Sequence, residues 1–318
     1  MTSRSFKLSL AFVGTFIGAG FATGREICSF FANSSIFTTI IAGLLCGAFG
    51  YVFMEIGRKT RGEIFKIMPN SLSIALSAMT KLISLVVLTS MIASTTQIIE
   101  ENFNVLGMGF LVGLIGLVIS STGTKWVAKI NAIIVPFVTV FVIILFIMAQ
   151  NFNLSGDFNL SSPFLYAGMN VLASGIISSK LSRDLAKKEV VCASIFSGII
   201  LAVLLTIVLL ATRNVSSADM PIITLATVFK LRSISTIIVF VAIFTTLTST
   251  MNIVSDGKIV HGIVALLVTT VFSFFGFSRI VSYAYPVVGL ASIVVLLALI
   301  LALFINARII KVNSRISS

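Results

Sequence analysis

Apolar residues run through this chain in blocks of membrane-spanning length, separated by short polar or basic stretches. Measured against the roughly 20 residues a helix needs to cross a bilayer, the pattern predicts ten spans. The first half supplies Leu8–Phe31, Ile36–Ile56, Ser71–Ile99, Met108–Ser121 and Trp126–Gln150. The second supplies Phe164–Ser179, Glu189–Ala211, Ser235–Ile253, Ile259–Phe277 and Val281–Asn306. Two apolar pieces are too short to cross. Ile64 to Pro69 reads as an interfacial lead-in to the third span, and Pro221 to Phe229 as a half-helix packed on the outer face and opened by its proline. The expected fold class is therefore an all-α polytopic membrane protein, a single transmembrane domain over residues 1–318, with no low-complexity tract and no soluble domain.

Composition agrees with the pattern. Hydrophobic residues make up 58% of the 318 and charged residues 10%, with a mean hydropathy of +1.15; a soluble domain carries about 25% charged residues. The formal net charge of +12 does not indicate nucleic acid, because the basic residues gather in alternate short loops. With the N-terminus inside, sixteen fall on the cytoplasmic side: Arg4, Lys7, Arg58, Lys59, Arg61, Lys66, Lys125, Lys129, Lys180, Arg183, Lys187, Lys188, Lys258, Arg308, Lys311 and Arg315. Four fall outside: Arg213, Lys230, Arg232 and Arg279. This bias predicts a cell-membrane protein with both termini in the cytoplasm. The expected partners are the lipid bilayer and a small-molecule substrate, with no nucleic acid and no obligate protein partner. Cys28, Cys46 and Cys192 all lie in apolar stretches and read as packing thiols, without disulfide or metal spacing. The first apolar run is followed by no small-residue cleavage site and leads directly into more spans, so it is expected to stay as a resident helix.

The first span contains GTFIGAGFATG, with Gly14, Gly18, Gly20 and Gly24. Pairs spaced by four can simply let helices approach closely. Gly43, Gly47 and Gly50, and likewise Gly109, Gly113 and Gly116, fit that reading. The sharper one rests on Gly18-Ala19-Gly20, where unwinding is cheap because each glycine costs a helix about 1 kcal/mol relative to Ala. Open backbone in hydrocarbon is tolerated only beside a cavity or ligand. Amides near Gly18, Ala19, Gly20 and Phe21 then suit an anionic group, and carbonyls from Gly14 to Ile17 suit a small cation.

This segment, GTFIGAGFATGREI, resembles the opening of YkvI-like bacterial membrane proteins. GTFIGAGF is more broadly similar to the broken first helix of amino acid–polyamine–organocation transporters and LeuT-type sodium symporters. The resemblance implies a LeuT-like 5+5 inverted repeat, over about residues 8–150 and 163–306, with helices one and six broken around a midplane site. It also implies sodium ligands: carbonyls of Gly14, Ile17 and Thr245, and hydroxyls of Thr248 and Ser249 in the eighth-span run FTTLTSTMN. Thr245, Thr248 and Ser249 share one helix face. Such hydroxyls also commonly satisfy themselves on carbonyls of the preceding turn. Gly168-Met169-Asn170 in the sixth span resembles the segment where related transporters unwind, and Ser90 and Ser94 lie on the third helix, which lines the substrate chamber in relatives. Lys129 lies about one turn into the fifth span, where snorkelling explains it.

Glu26 is the acidic residue clearly inside a span, and a straight helix puts it about 9 Å above the break. Three roles stay open: an outer gate paired with Arg25 or Arg279, a proton-coupling carboxylate, or a surface residue. The chain lacks a second intramembrane carboxylate, a His or Cys cluster and a phosphate loop. The Asp-Pro-Gly and Met-Pro-His signatures of divalent-metal transporters of similar fold are missing too. The expectation is a secondary transporter of a small zwitterionic solute such as an amino acid, with sodium as coupling ion, no other cofactor, no transition metal and no enzymatic activity. Proton coupling, and a ligand-sensing subunit of the germinant-receptor kind, remain alternatives.

Overall fold

The computed structural model describes the backbone of residues 3–121, 124–151 and 154–316, and side chains within these except 124–133, 135 and 306–316. Lys129 and the C-terminal basic residues therefore lie outside the described side chains. In chain order the helices are α1 (Ser3–Phe16), α2 (Ala19–Thr23), α3 (Arg25–Phe31), α4 (Ile36–Lys59), α5 (Asn70–Phe103), α6 (Gly109–Ser120) and α7 (Thr124–Ala149). They continue with α8 (Ser161–Ser182), α9 (Lys187–Thr212), α10 (Pro221–Val228), α11 (Arg232–Ser255), α12 (Ile259–Ser273), α13 (Phe277–Arg279) and α14 (Tyr285–Ile316), the last entered through a π-turn at Ile280–Ala284. Each predicted span is helical. Among the described residues, five segments are long and apolar enough to cross a membrane: Ile36–Lys59, Asn70–Phe103, Lys187–Val215, Arg232–Ser255 and Phe277–Ile305. Of the two short pieces, Ile64–Ile67 is a 3-10 turn and α10 a helix with proline in its first turn.

Large apolar side chains such as Phe37, Ile74, Leu82 and Phe304 point outward, while many Ser and Thr are buried. That inversion suits a hydrocarbon surround, where the outer surface gains nothing from polarity and interior hydroxyls must find partners. Most do so locally: Thr15, Thr89, Ser178 and Thr269 each donate to the carbonyl four residues back.

Helix α4 packs along α8 and α9, α11 along α5, α6 and α7, and α14 along α8 and α5. Small residues set these distances. A Cβ at Gly43 would overlap the Ala202 backbone, and one at Gly47 would lie 2.7 Å from the Gly198 Cα. Gly109, Gly113 and Gly116 meet side chains of α5, α11 and α12 in the same way. The close-packing expectation for both glycine sets holds. The broken sixth helix does not: α8 runs unbroken through Gly168, Met169 and Asn170. Gly168 serves contact, since a Cβ there would stand 2.8 Å from the Gly289 carbonyl of α14. The glycine is held by a neighbour's close approach and not by a need to unwind.

Candidate functional site

The first helix is interrupted where its glycines predict, and then once more. The Ile17 N–H still reaches the Val13 carbonyl at 3.0 Å, but the Gly18 N–H turns back to Phe16 at 2.8 Å. The Gly14 carbonyl thus loses its helical donor. Gly18 is extended, at φ −89° and ψ −166°, and α2 restarts at Ala19 with no side-chain cap. The second interruption is at Gly24, whose φ of +79° separates α2 from α3. This left-handed geometry favours glycine. Contacts from Ile222 and Thr212 at 3.2 and 3.3 Å also leave little room for a side chain there.

A small internal cavity of about 20 Å³ adjoins the first interruption, room for a single water. Thr15, Phe16 and Gly18 line it from the broken helix, Met91 from α5, Met169 and Asn170 from α8, Thr246 and Thr250 from α11, and Tyr285 from α14. Glu26 lines it too, 4% exposed. A straight helix would carry Glu26 well above the break. The turn at Gly24 instead folds α3 so that the side chain comes back over Gly20, where a methyl group would overlap its Cγ, Cδ and Oε1. Asn170 donates to the carboxylate at 3.4 Å. The zone expected to receive a substrate carboxylate therefore already contains one from the protein.

The gate pairing is corrected. Neither Arg25 nor Arg279 meets Glu26. Arg25 donates to the Ala218 carbonyl at 3.2 Å and the Ser282 hydroxyl at 3.1 Å, tying α3 to the segments before α10 and α14. Arg279 is exposed, beside an apolar groove with Phe272, Phe275 and Tyr283. Behind the cavity-lining Phe16 lies an aromatic cluster, with Tyr166 centred 5.2 Å from Phe31, 5.7 Å from Phe30 and 6.3 Å from Phe16.

On α11 the face differs from the one expected. Thr248 and Ser249 donate to the Thr245 carbonyl at 2.7 and 2.9 Å, and the Thr248 methyl faces Gly116 on α6. Thr246 looks into the break, donating to the Ile17 carbonyl at 3.0 Å. Thr250, one turn on, has a fully buried hydroxyl without a hydrogen-bond partner. The pair at i and i+4 was visible in the run of hydroxyls, but pattern alone ranks no face above another. On α5, Val87 and Met91 meet the cavity while Ser90 and Ser94 turn aside. Ser94 bonds the Met91 carbonyl, and Ser90 bonds both the Val87 carbonyl and the Tyr285 hydroxyl. Tyr285 carried no sequence signal. Of the remaining predicted residues, Ala19 and Phe21 are buried in α2 without lining the cavity.

A second cavity, of about 260 Å³, lies farther along α5, α8 and α11, lined by Thr80 and Lys81, Ser179 and Lys180, and Ile253 and Asp256. On α8 and α11 its nearest residues, Ile176 and Ile253, follow Ala173 and Thr250 of the central cavity by one turn. Lys81 and Asp256 bridge its mouth at 3.3 Å.

The fold is shared with solved membrane transporters. The chain superposes on Mhp1, a nucleobase-cation-symport-1 family transporter, with TM-score 0.54 at 14% identity, covering 92% of this chain and 71% of that one. It superposes on a manganese transporter of Eremococcus coleocola with TM-score 0.58 at 15% identity, over 92% and 78%. In sequence it is 23% identical over 333 residues to the membrane protein YkvI of Bacillus subtilis (strain 168), covering 92% of this chain and 94% of that protein. It is 22% identical over 326 residues to YyaD of the same organism, over 93% and 96%. No family model matches the chain. It is a multi-pass membrane protein with the fold of LeuT-type transporters, and its likenesses lie with membrane transporters and not with enzymes.

Proposed function

We propose that the chain is a secondary active transporter of a small zwitterionic solute, an amino acid by preference, working by alternating access across the cell membrane. In this reading ten spans form two inverted five-helix repeats, over about 8–150 and 163–306, with both termini cytoplasmic. The observation that carries it is the interruption at Ile17–Gly18, which opens onto a central cavity shared by α5, α8, α11 and α14. Broken backbone beside a midplane cavity is how transporters of this architecture hold cargo. The cargo's polar ends meet the interrupted helix at Gly18 on one side and Asn170 of α8 on the other. The larger cavity behind Lys81 and Asp256 is the inner route, and opening it needs separation over only one helical turn.

A cation travels with the cargo. A zwitterion is neutral overall, so it leaves the buried Glu26 charge uncompensated, and uncompensated charge in a low-dielectric interior is costly. Sodium is the first candidate, with the Gly14, Ile17 and Thr245 carbonyls and the Thr248 and Ser249 hydroxyls as the ligands the family resemblance implies. The burial of Glu26 favours a proton as the second, since a buried carboxyl avoids the cost of its charge by neutralising. Uptake into proteoliposomes tests the reading, with amino acids supplied under a sodium gradient, a pH gradient or neither. Gradient-driven accumulation is the expected result. Saturable binding with no accumulation under any gradient refutes transport and leaves a ligand sensor.

A further inference from the structure

We propose that the small cavity at Glu26 is itself a monovalent-cation site, with Glu26, Thr250 and Thr246 as its side-chain ligands. This rests on the transport reading for its purpose, while its evidence is local. Glu26 is 4% exposed, and among the described residues its carboxylate has an amide for a partner and no ion pair. Thr250, which lines the same space, has a fully buried hydroxyl with no hydrogen-bond partner. Buried polar groups rarely stay unpartnered without a reason. Here one ligand answers both groups, because a cation accepts the carboxylate charge and the hydroxyl lone pairs together.

Size points the same way. Space for a single water admits one bare alkali ion and not a hydrated one. Among the described residues no three His, Cys, Asp or Glu side chains come together, which removes the charge a divalent ion needs. The predicted hydroxyls, those of Thr248 and Ser249, do not line this cavity. Thr246 and Thr250 face it.

A proton and a cation are alternatives on one carboxylate, so the site links sodium to pH. The groups facing Glu26 do not interfere with that exchange. From α8 and α14 come the phenols of Tyr166 and Tyr285. From α5 and α11 come Val87, Met91, Thr246 and Thr250, none of them titratable in the accessible range. On α3 itself, Arg25 is turned toward Ala218 and Ser282, and Cys28 toward Thr212.

The test is thermal melting of the full-length protein in detergent, in sodium, potassium, methylammonium or choline chloride at equal ionic strength. Sodium is expected to raise the melting temperature saturably over choline, by the mass-action stabilisation of a bound ligand, with the midpoint moving to higher sodium on mild acidification. Glu26→Gln abolishes the shift, and Thr250→Val raises the sodium midpoint roughly tenfold, as loss of one ligand to a charge does. If Glu26→Gln does not fold, Thr250→Val alone decides. A sodium shift that survives both variants but disappears in Thr248→Val puts the ion on the other face and overturns the proposal. So does the lack of any cation shift. A response to methylammonium and not sodium overturns the inorganic ion and gives the carboxylate to the cargo's ammonium. Binding in detergent is read without transport, so failure here and failure of uptake are separate results.

Discussion

Adding one methyl group at Gly20 should uncouple the glycine-rich first helix from its own carboxylate. An ideal Cβ at that position falls on the Glu26 Cγ, Cδ and Oε1 atoms, so Gly20→Ala forces the side chain off the backbone it covers. The displaced carboxylate loses its hydrogen bond from Asn170. Bonds to charged groups contribute about 1.5–3 kcal/mol, and at 3.4 Å the lower end applies. Against this, alanine gains about 1 kcal/mol over glycine within a helical segment. The net effect of Gly20→Ala is then a destabilisation of about 0.5–1 kcal/mol. In a Glu26→Ala background the clash is gone, and the same methyl should stabilise by about 1 kcal/mol. The two substitutions are therefore coupled by about 1.5–2 kcal/mol, which a double-mutant cycle isolates. Equilibrium unfolding in mixed micelles, monitored for wild type, both single variants and the double, supplies the four free energies. Additivity within about 0.5 kcal/mol, the spread seen for independent sites, would refute the claim that Glu26 lies on Gly20.

Three further expectations follow from the packing. Gly43→Ala places a methyl group inside the Ala202 backbone, which cannot rotate away, so it should cost roughly 1–3 kcal/mol or more in the same unfolding assay. Ser90→Ala strands the buried Tyr285 hydroxyl and should cost about 1–3 kcal/mol; Tyr285→Phe should cost less, because Ser90 keeps the Val87 carbonyl, and a reversed order would contradict the assigned network. The Lys81–Asp256 bridge is partly exposed, so Asp256→Asn should change stability by less than about 1 kcal/mol. If the bridge latches the inner cavity, the same variant should nonetheless speed solute exchange in proteoliposomes.

The helical stretches were legible because their signal is one-dimensional. A run of apolar residues long enough to cross hydrocarbon leaves the backbone little choice but helix, and Gly18-Ala19-Gly20 marked the weak point in the first run. The Gly43 and Gly47 pair was legible for the same kind of reason, since small residues four apart form a groove wherever a helix is packed. Gly168 shows the limit: glycine both permits unwinding and permits contact, and the nearness of Gly289 on α14 chose contact.

What the sequence determined by itself was the all-helical membrane character, the place of the first interruption and the presence of one carboxylate near it. Which side chains look into the centre was decided by the tertiary structure. Successive helical residues are rotated by about 100°, so Ser90 and Met91, or Thr245 and Thr246, share a neighbourhood in the chain and not in space. Glu26 depended on a single left-handed residue, Gly24, whose turn brought a side chain that a straight helix holds about 9 Å above the break back over Gly20. Helix phase and chain direction come from packing against distant segments, and no local pattern encodes either.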